Sequence, residues 1–402
     1  MKKSNLFLVL LMALIVMSCS KDETTMSIPQ ESNAITFGTY VGRDAKTRAR
    51  ALDLTGLQTT GFGVFAFYSN ETANEYNNTT PPSNFTPNFM YNQQVTWSET
   101  PDPDAWVYAP VKYWPNEASD KLTFFAYAPY STGSTNNISD FTANTATGDP
   151  MLTFTVESTA TAQTDLLYAD ANAYTTPTVL PGLKNLGKQT IGGTVKFPFK
   201  HALSRIGFKV EVMADQKNDD DTGTPDNGTV ESEAIASGTV VSVQKVELIG
   251  TFATSNTFNF AAGTWGTPTN ESVTYALNYD ETDDDSNFDN DVAEGVTTTA
   301  AVLNADDSYL MVIPKAFTTP TPDDPLQIRV TYTVTTADGA LDESSAVQNV
   351  ITSAPFAFTF EAGKAYSFNL HLGLTSVKFD AEVTGWGTES ETVVNVPINT
   401  AP

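Results

Sequence analysis

Side chains fit for acid–base, nucleophilic or metal chemistry are scarce. The 402 residues include two histidines, His201 and His371, and one cysteine, Cys19. A single cysteine excludes an intrachain disulfide and a cysteine-based zinc cluster. Two histidines leave little for a metal site or a catalytic triad. No Walker loop, HExxH pair, GxSxG elbow or GxGxxG fingerprint occurs. His201 sits at a break between two alternating runs, where a packed or capping side chain is expected, and His371 alternates with Leu370 and Leu372 and should face solvent. Carboxylates cluster in Asp215–Asn227 and Asp280–Asp291, but Asp219-Asp220-Asp221-Thr222-Gly223 lacks the EF-hand spacing. Solvated acidic loops are the expectation. Trp97, Trp106, Trp114, Trp265 and Trp386 could line a sugar-binding face, although such rings more often pack cores or edges. The reading is a non-enzyme with no catalytic residues, no metal and no cofactor.

Charge and apolarity concentrate at the N-terminus. Lys2 and Lys3 precede twelve uninterrupted apolar residues, Leu6 to Met17, the pattern of a secretory signal peptide over residues 1–18. A helical membrane span takes roughly 20 such residues. Val16-Met17-Ser18-Cys19 resembles the bacterial lipobox, which implies cleavage between Ser18 and Cys19 and lipidation of the Cys19 thiol. Ser20-Lys21-Asp22-Glu23 resembles a tag that sends lipoproteins to the outer face of the outer membrane. Further on, Gly42–Arg50 holds four of the chain's 21 Lys and Arg residues within a net charge of −26. Such a loop is either ordinary basic surface or the target of an Arg-specific protease. An acidic pI near 4.2 repels phosphate backbones, so nucleic acid is not an expected partner.

Strands must carry these features. A chain that is 40% hydrophobic and 11% aromatic can bury sizeable cores despite its charge. Its pattern has period 2 almost throughout: Leu326, Ile328, Val330, Tyr332 and Val334 alternate with polar residues, as do Tyr366, Phe368, Leu370 and Leu372. Gly63–Tyr68, Lys121–Tyr127, Val195–Phe199 and Ile206–Val212 are further runs, separated by Asn/Asp/Gly/Pro clusters. The class is all-β, with sandwiches expected. The Gly/Pro-rich stretch Pro181–Gly193 divides a first domain, 51–190, from a second, 191–402, after an N-terminal segment, 19–50. Ala34–Val41 reads as a strand with Ile35, Phe37 and Val41 on one face. At the other end Val394, Val396 and Ile398 share a face of a last strand or tail.

Several of these segments resemble the fimbrillin family in order and content. They are the signal and lipobox, Ile35-Thr36-Phe37-Gly38-Thr39-Tyr40 ahead of Thr47-Arg48, Phe62-Gly63-Val64-Phe65-Ala66, Tyr113-Trp114-Pro115, Leu122–Pro129, Asp165-Leu166-Leu167-Tyr168-Ala169 and Phe199–Ile206. The resemblance implies a subunit of a cell-surface pilus, with two transthyretin-like Greek-key β-sandwich domains in tandem. It implies export as an outer-membrane lipoprotein and cleavage after Arg48 or Arg50, which removes the lipid with the first strand (Ile35, Phe37, Val41). It also implies polymerisation by a C-terminal donor strand, Val394, Val396 and Ile398, from a neighbouring subunit, in a fimbria supporting adhesion. Expected partners are other pilus subunits, the activating protease and, before processing, the outer membrane. A surface carbohydrate-binding lipoprotein, or an anchor or tip subunit of the same pilus, is the alternative.

Overall fold

The computed structural model describes residues 33–41, 52–70, 76, 85–100, 104–172, 182–187, 193–212, 239–278, 291–294, 301–302, 309–319, 321, 324–336, 345–372, 377–385 and 388–394. Ser18, Cys19, Arg48, Arg50, Trp386, Val396, Ile398 and nearly all of both acidic loops lie outside them.

Almost every element is a strand. The first half contributes β1 (Thr36–Val41), β2 (Phe62–Ser69), β3 (Met90–Ser98), β4 (Ala105–Val107), β5 (Lys121–Ala128), β6 (Ser134–Thr135), β7 (Ile138–Ser139), β8 (Met151–Thr155), β9 (Leu167–Ala169) and β10 (Thr194–His201). The second contributes β11 (Ser204–Val212), β12 (Thr239–Phe252), β13 (Ser255–Asn259), β14 (Thr264–Trp265), β15 (Glu271–Asn278), β16 (Asp291–Glu294), β17 (Ala301–Val302) and β18 (Leu310–Val312). It continues with β19 (Lys315–Phe317), β20 (Leu326–Thr336), β21 (Ser345–Thr352), β22 (Phe358–Phe360), β23 (Lys364–Leu372), β24 (Val377–Gly385) and β25 (Thr388–Val394). One short α-helix, Leu54–Thr60, occurs among the described residues.

In the first half the strands run β1-β10-β9-β5-β2-β3-β4, and β4 pairs back to β1, closing a barrel. β2 and β5 are buried along nearly their whole length, because both of their faces are covered. Phe62 points to one side, against Trp106, Phe197 and Phe199. Phe65 packs on Phe141 and on Phe260 from the second half of the chain.

The second half builds two larger sheets, β17-β11-β23-β24-β25 with β18 also on β11, and β15-β12-β20-β21 with β16 also on β12. The alternation expected for Leu326–Val334 and Tyr366–Leu372 appears as burial of those apolar residues. His371 is half-buried rather than solvent-facing.

An antiparallel sheet drawn from both halves, β14-β13-β8-β7-β6, joins them through the β8–β13 pairing. Gln163 adds a second stitch, accepting from the Met311 N–H at 2.6 Å and donating to its carbonyl at 3.1 Å. Relative to the expected junction at 190/191, β10 lies downstream and still pairs with β1 and β9 of the barrel. The chain passes from the barrel to the β11 sheet at Ala202-Leu203, between β10 and β11.

Candidate functional site: the closing strand and its tether

β1 is the strand that closes the barrel. It lies parallel to β10, from Thr36 opposite Thr194 to Val41 opposite Phe199. On its other side Phe37 faces Trp106 of β4. Taking β1 away would leave facing edges on β10 and β4 with unpaired N–H and C=O groups. Its apolar side chains fill the space between them. Ile35 is 1% exposed and Phe37 6%, and Phe37 rests among Phe62, Tyr108, Phe124 and Phe197 at ring separations of 5.0–6.4 Å. Val41 is half-buried at the rim of the same core. Ile35 and Phe37 thus occupy the positions expected from alternation, and together they contribute roughly 3–6 kcal/mol by burial.

Polar groups fix the register. Tyr108 donates its hydroxyl to the Ile35 carbonyl at 2.8 Å. Burial pushes that phenol above its ordinary range, so it stays a donor. Trp106 Nε1 donates to Thr39 Oγ1 at 3.1 Å, and the Thr36 and Thr194 hydroxyls meet at 2.7 Å. Ahead of the strand, the Ile35 N–H donates to the Lys112 carbonyl and the Trp114 N–H to that of Asn33.

The chain is described again at Leu52, which is buried. Its N–H donates to Asp165 Oδ2 at 3.0 Å, and His201 Nδ1 lies 2.7 Å from the same oxygen. Asp165 is wholly buried, and the His201 side chain is 10% exposed. The next residue, Asp53, caps the helix by accepting the Gly56 N–H at 2.7 Å. That helix ends at Gly61 with φ of 67°, where a Cβ would stand 2.5 Å from the Val95 carbonyl oxygen. Val41 pairs with Phe199, and Leu52 reaches His201 through Asp165, two residues further along β10. Both flanks of segment 42–51, which carries Arg48 and Arg50, are therefore anchored at one end of the barrel.

His201 is the packed side chain expected at its strand break. Sequence does not disclose its partner Asp165, because no local pattern links positions 36 residues apart. At the C-terminus, β25 forms the edge of its own sheet, antiparallel to β24, with Val394 opposite Ala381. Among the described residues, Trp106 and Trp114 are buried. Trp97 and Trp265 are half-buried against the core, Trp97 on Trp106 and Trp265 on Phe258. None of the four offers an exposed stacking platform. No group of three or more His, Cys, Asp or Glu suited to a metal ion occurs among the described residues.

What these features define is a β-rich scaffold whose centre holds packing groups rather than reacting ones. Residues 47–386 match the fimbrillin-like family model, and the chain belongs to that family, whose members are structural and typically non-enzymatic. The match begins inside the basic segment and stops between β24 and β25, so both terminal strands lie outside it. Fimbrium subunit Fim1C of Phocaeicola vulgatus is 26% identical over 412 residues, 97% of this chain and 98% of Fim1C. The crystal structure of a fimbrial protein from Bacteroides vulgatus shares the fold with a TM-score of 0.62 at 23% identity, covering 88% of this chain and 99% of that one.

Proposed function

We propose that this protein is a structural subunit of a cell-surface pilus, exported as a lipoprotein on Cys19 and activated by proteolysis after Arg48 or Arg50. Loss of β1 opens the barrel, and the C-terminal segment of another subunit, with Val394, Val396 and Ile398 on one face, takes its place. The two halves then act as tandem transthyretin-like domains in a fimbria that supports adhesion, with no metal or cofactor. One observation carries the reading: β1 is integral to the barrel core, yet after Val41 it joins the rest of the chain only through the segment containing both arginines. The full-length similarity to a fimbrium subunit supports it.

Physical chemistry favours this route. An open slot with two unpaired edges and apolar pockets is satisfied only by another strand. Insertion from subunit to subunit is heterologous and does not close, so it yields a filament. The carbohydrate-binding alternative loses its main support, because the described tryptophans are packed. Sequencing the N-terminus of subunits in isolated filaments is the test. Ala49 or Ala51 as first residue is the expected result, and a lipidated Cys19 in the filament body would overturn it.

A further inference from the structure

β21 forms one edge of the sheet β15-β12-β20-β21, and among the described residues it pairs with β20 alone. The ladder runs from Ser345 opposite Thr336 to Thr352 opposite Arg329 without a bulge. The side of β21 away from β20 therefore offers a regular row of N–H and C=O groups. Edges of this kind join other strands unless charge, proline, a bulge or a covering segment prevents it. Within β21 there is no charge, no proline and no bulge. Indeed no Asp, Glu, Lys or Arg occurs between Glu343 and Glu361, in a chain that is 17% charged. Val347 and Val350 are 58% and 59% exposed, one on each face of the strand. Comparable edges are guarded: the sequence of β25 includes Glu389 and Glu391, and β15 opens with Glu271 and is bridged at Ala276 by Thr159.

We propose that β21 pairs with β21 of a second copy of this chain, antiparallel about a two-fold axis through Asn349. Charge selects the partner. With a net charge of −26, two copies repel over most of their surface, and a neutral strip is where they can touch. A basic partner would be drawn to the acidic surface elsewhere. Side chains select the register. Val347, Asn349 and Ile351 lie opposite Val334, Tyr332 and Val330, all three buried, and so share the core-facing side of the sheet. Pairing centred on Asn349 sets Val347 against Ile351 of the other copy, twice over by symmetry, and continues the apolar face across the seam. Centring on Gln348 would oppose Val347 with Asn349 instead. A single strand pair is a small interface that dissociates on dilution. On the filament reading above it would recur at every subunit and gain by multivalency, joining filaments side by side. The pairing itself uses neither β1 nor its slot and does not rest on strand exchange.

The test uses the uncut full-length chain with Cys19→Ala, Arg48→Ala and Arg50→Ala, which lacks any thiol and stays unprocessed at the basic segment, so strand exchange takes no part. Directly opposed Cα atoms of an antiparallel pair stand about 4.5–5.5 Å apart, within the span of a disulfide. Asn349→Cys at high protein concentration should therefore oxidise to a linked dimer, seen by non-reducing electrophoresis and located by peptide mass. Two Gln348→Cys residues would stand two positions out of register, about 8 Å apart, and should link slowly. So should Glu271→Cys on the guarded edge. Adding Val347→Lys removes the pair with Ile351 on both sides of the axis and should slow Asn349→Cys linking about tenfold, with an unchanged melting temperature as the check on folding. Salt should quicken linking by screening the like net charges. Equal rates for the three cysteines overturn the proposal whether or not the lysine variant folds. Linking that a folded Val347→Lys variant does not slow overturns it too. So does absence of a dimer, since an edge that serves a different protein's strand finds no donor in the purified chain.

Discussion

Phe37→Ala should weaken the uncut protein and speed assembly once the chain is cleaved. Phe37 touches four aromatic rings inside the barrel, at 5.0 Å from Tyr108, 5.4 Å from Phe197, 6.2 Å from Phe124 and 6.4 Å from Phe62. Walls contributed by four different segments collapse poorly into a cavity, so the cost belongs in the range of about 3–5 kcal/mol for burying Ala in place of Phe. For a unit of this size that corresponds to a fall in melting temperature of roughly 6–20 °C in the uncut chain. On the proposed route, the nicked chain must release β1 before another strand can enter. If the lost contacts are absent from the escape transition state, release quickens by up to about 10²–10⁴-fold. Calorimetry of uncut chains and light scattering of nicked ones read the two effects. Phe197→Ala is the control, since it damages the wall of the slot and should slow strand uptake instead. Unchanged melting of uncut Phe37→Ala, or nicked Phe37→Ala assembling no faster than wild type, would refute β1 as the displaced strand.

The same geometry sets three more expected outcomes. Changing Arg48 and Arg50 together to alanine should leave monomers by size-exclusion chromatography, whereas the wild-type chain cut at Arg50 keeps 14 Lys/Arg against 43 Asp/Glu, a net charge of −29, and assembles. Deleting residues 391–402, or charging the tail with Val396→Asp, should abolish joining seen by electron microscopy while cooperative unfolding persists; a truncated chain that fails to fold would mean the tail is core. Hydrogen bonds from Arg329, at 2.5 and 2.8 Å, hold the Glu247 carboxyl below its usual range against opposing burial. A depressed folded-state value stabilises above the unfolded one, about 4.3, and is lost as pH falls through the folded one; Glu247→Gln should therefore flatten the acid limb of a thermal-melt pH profile, and an unaltered limb would count against the pair.

Local alternation was legible because side chains on a strand have period 2 and one face is buried. Ile35 and Phe37 were readable in this way, as were Leu326 through Tyr332. The pairing of β1 with β10 was not, since Thr36 and Thr194 lie 158 residues apart and register is a property of two segments at once. Pro181–Gly193 reads as a linker by composition, yet within it Leu183 and Leu186 are buried and exchange backbone hydrogen bonds with β5. Composition reports the chance of a turn, whereas what a loop packs on is set by the whole fold. Asp165 is illegible for a similar reason: in sequence it is one carboxylate among many, and only burial beside Leu52 and His201 sets it apart.

The two ends of the chain are held in different ways, and on the proposed route that difference gives assembly its direction. β1 is parallel to β10, and a parallel neighbour cannot be joined by a tight turn. No hairpin ties β1 to either flanking strand, so covalent continuity through 42–51 makes its return to the slot intramolecular. While that tie is intact, the local concentration of β1 at its slot is of millimolar order. A tail from another subunit, present at micromolar concentration, loses that competition by roughly a thousandfold. One cut ends the advantage, because a β1 that leaves is diluted into the surroundings. β25 is tethered otherwise, following β24 after two residues and pairing with it directly. Proteolysis in the basic segment leaves that hairpin intact, so the subunit that has lost its first strand retains its last.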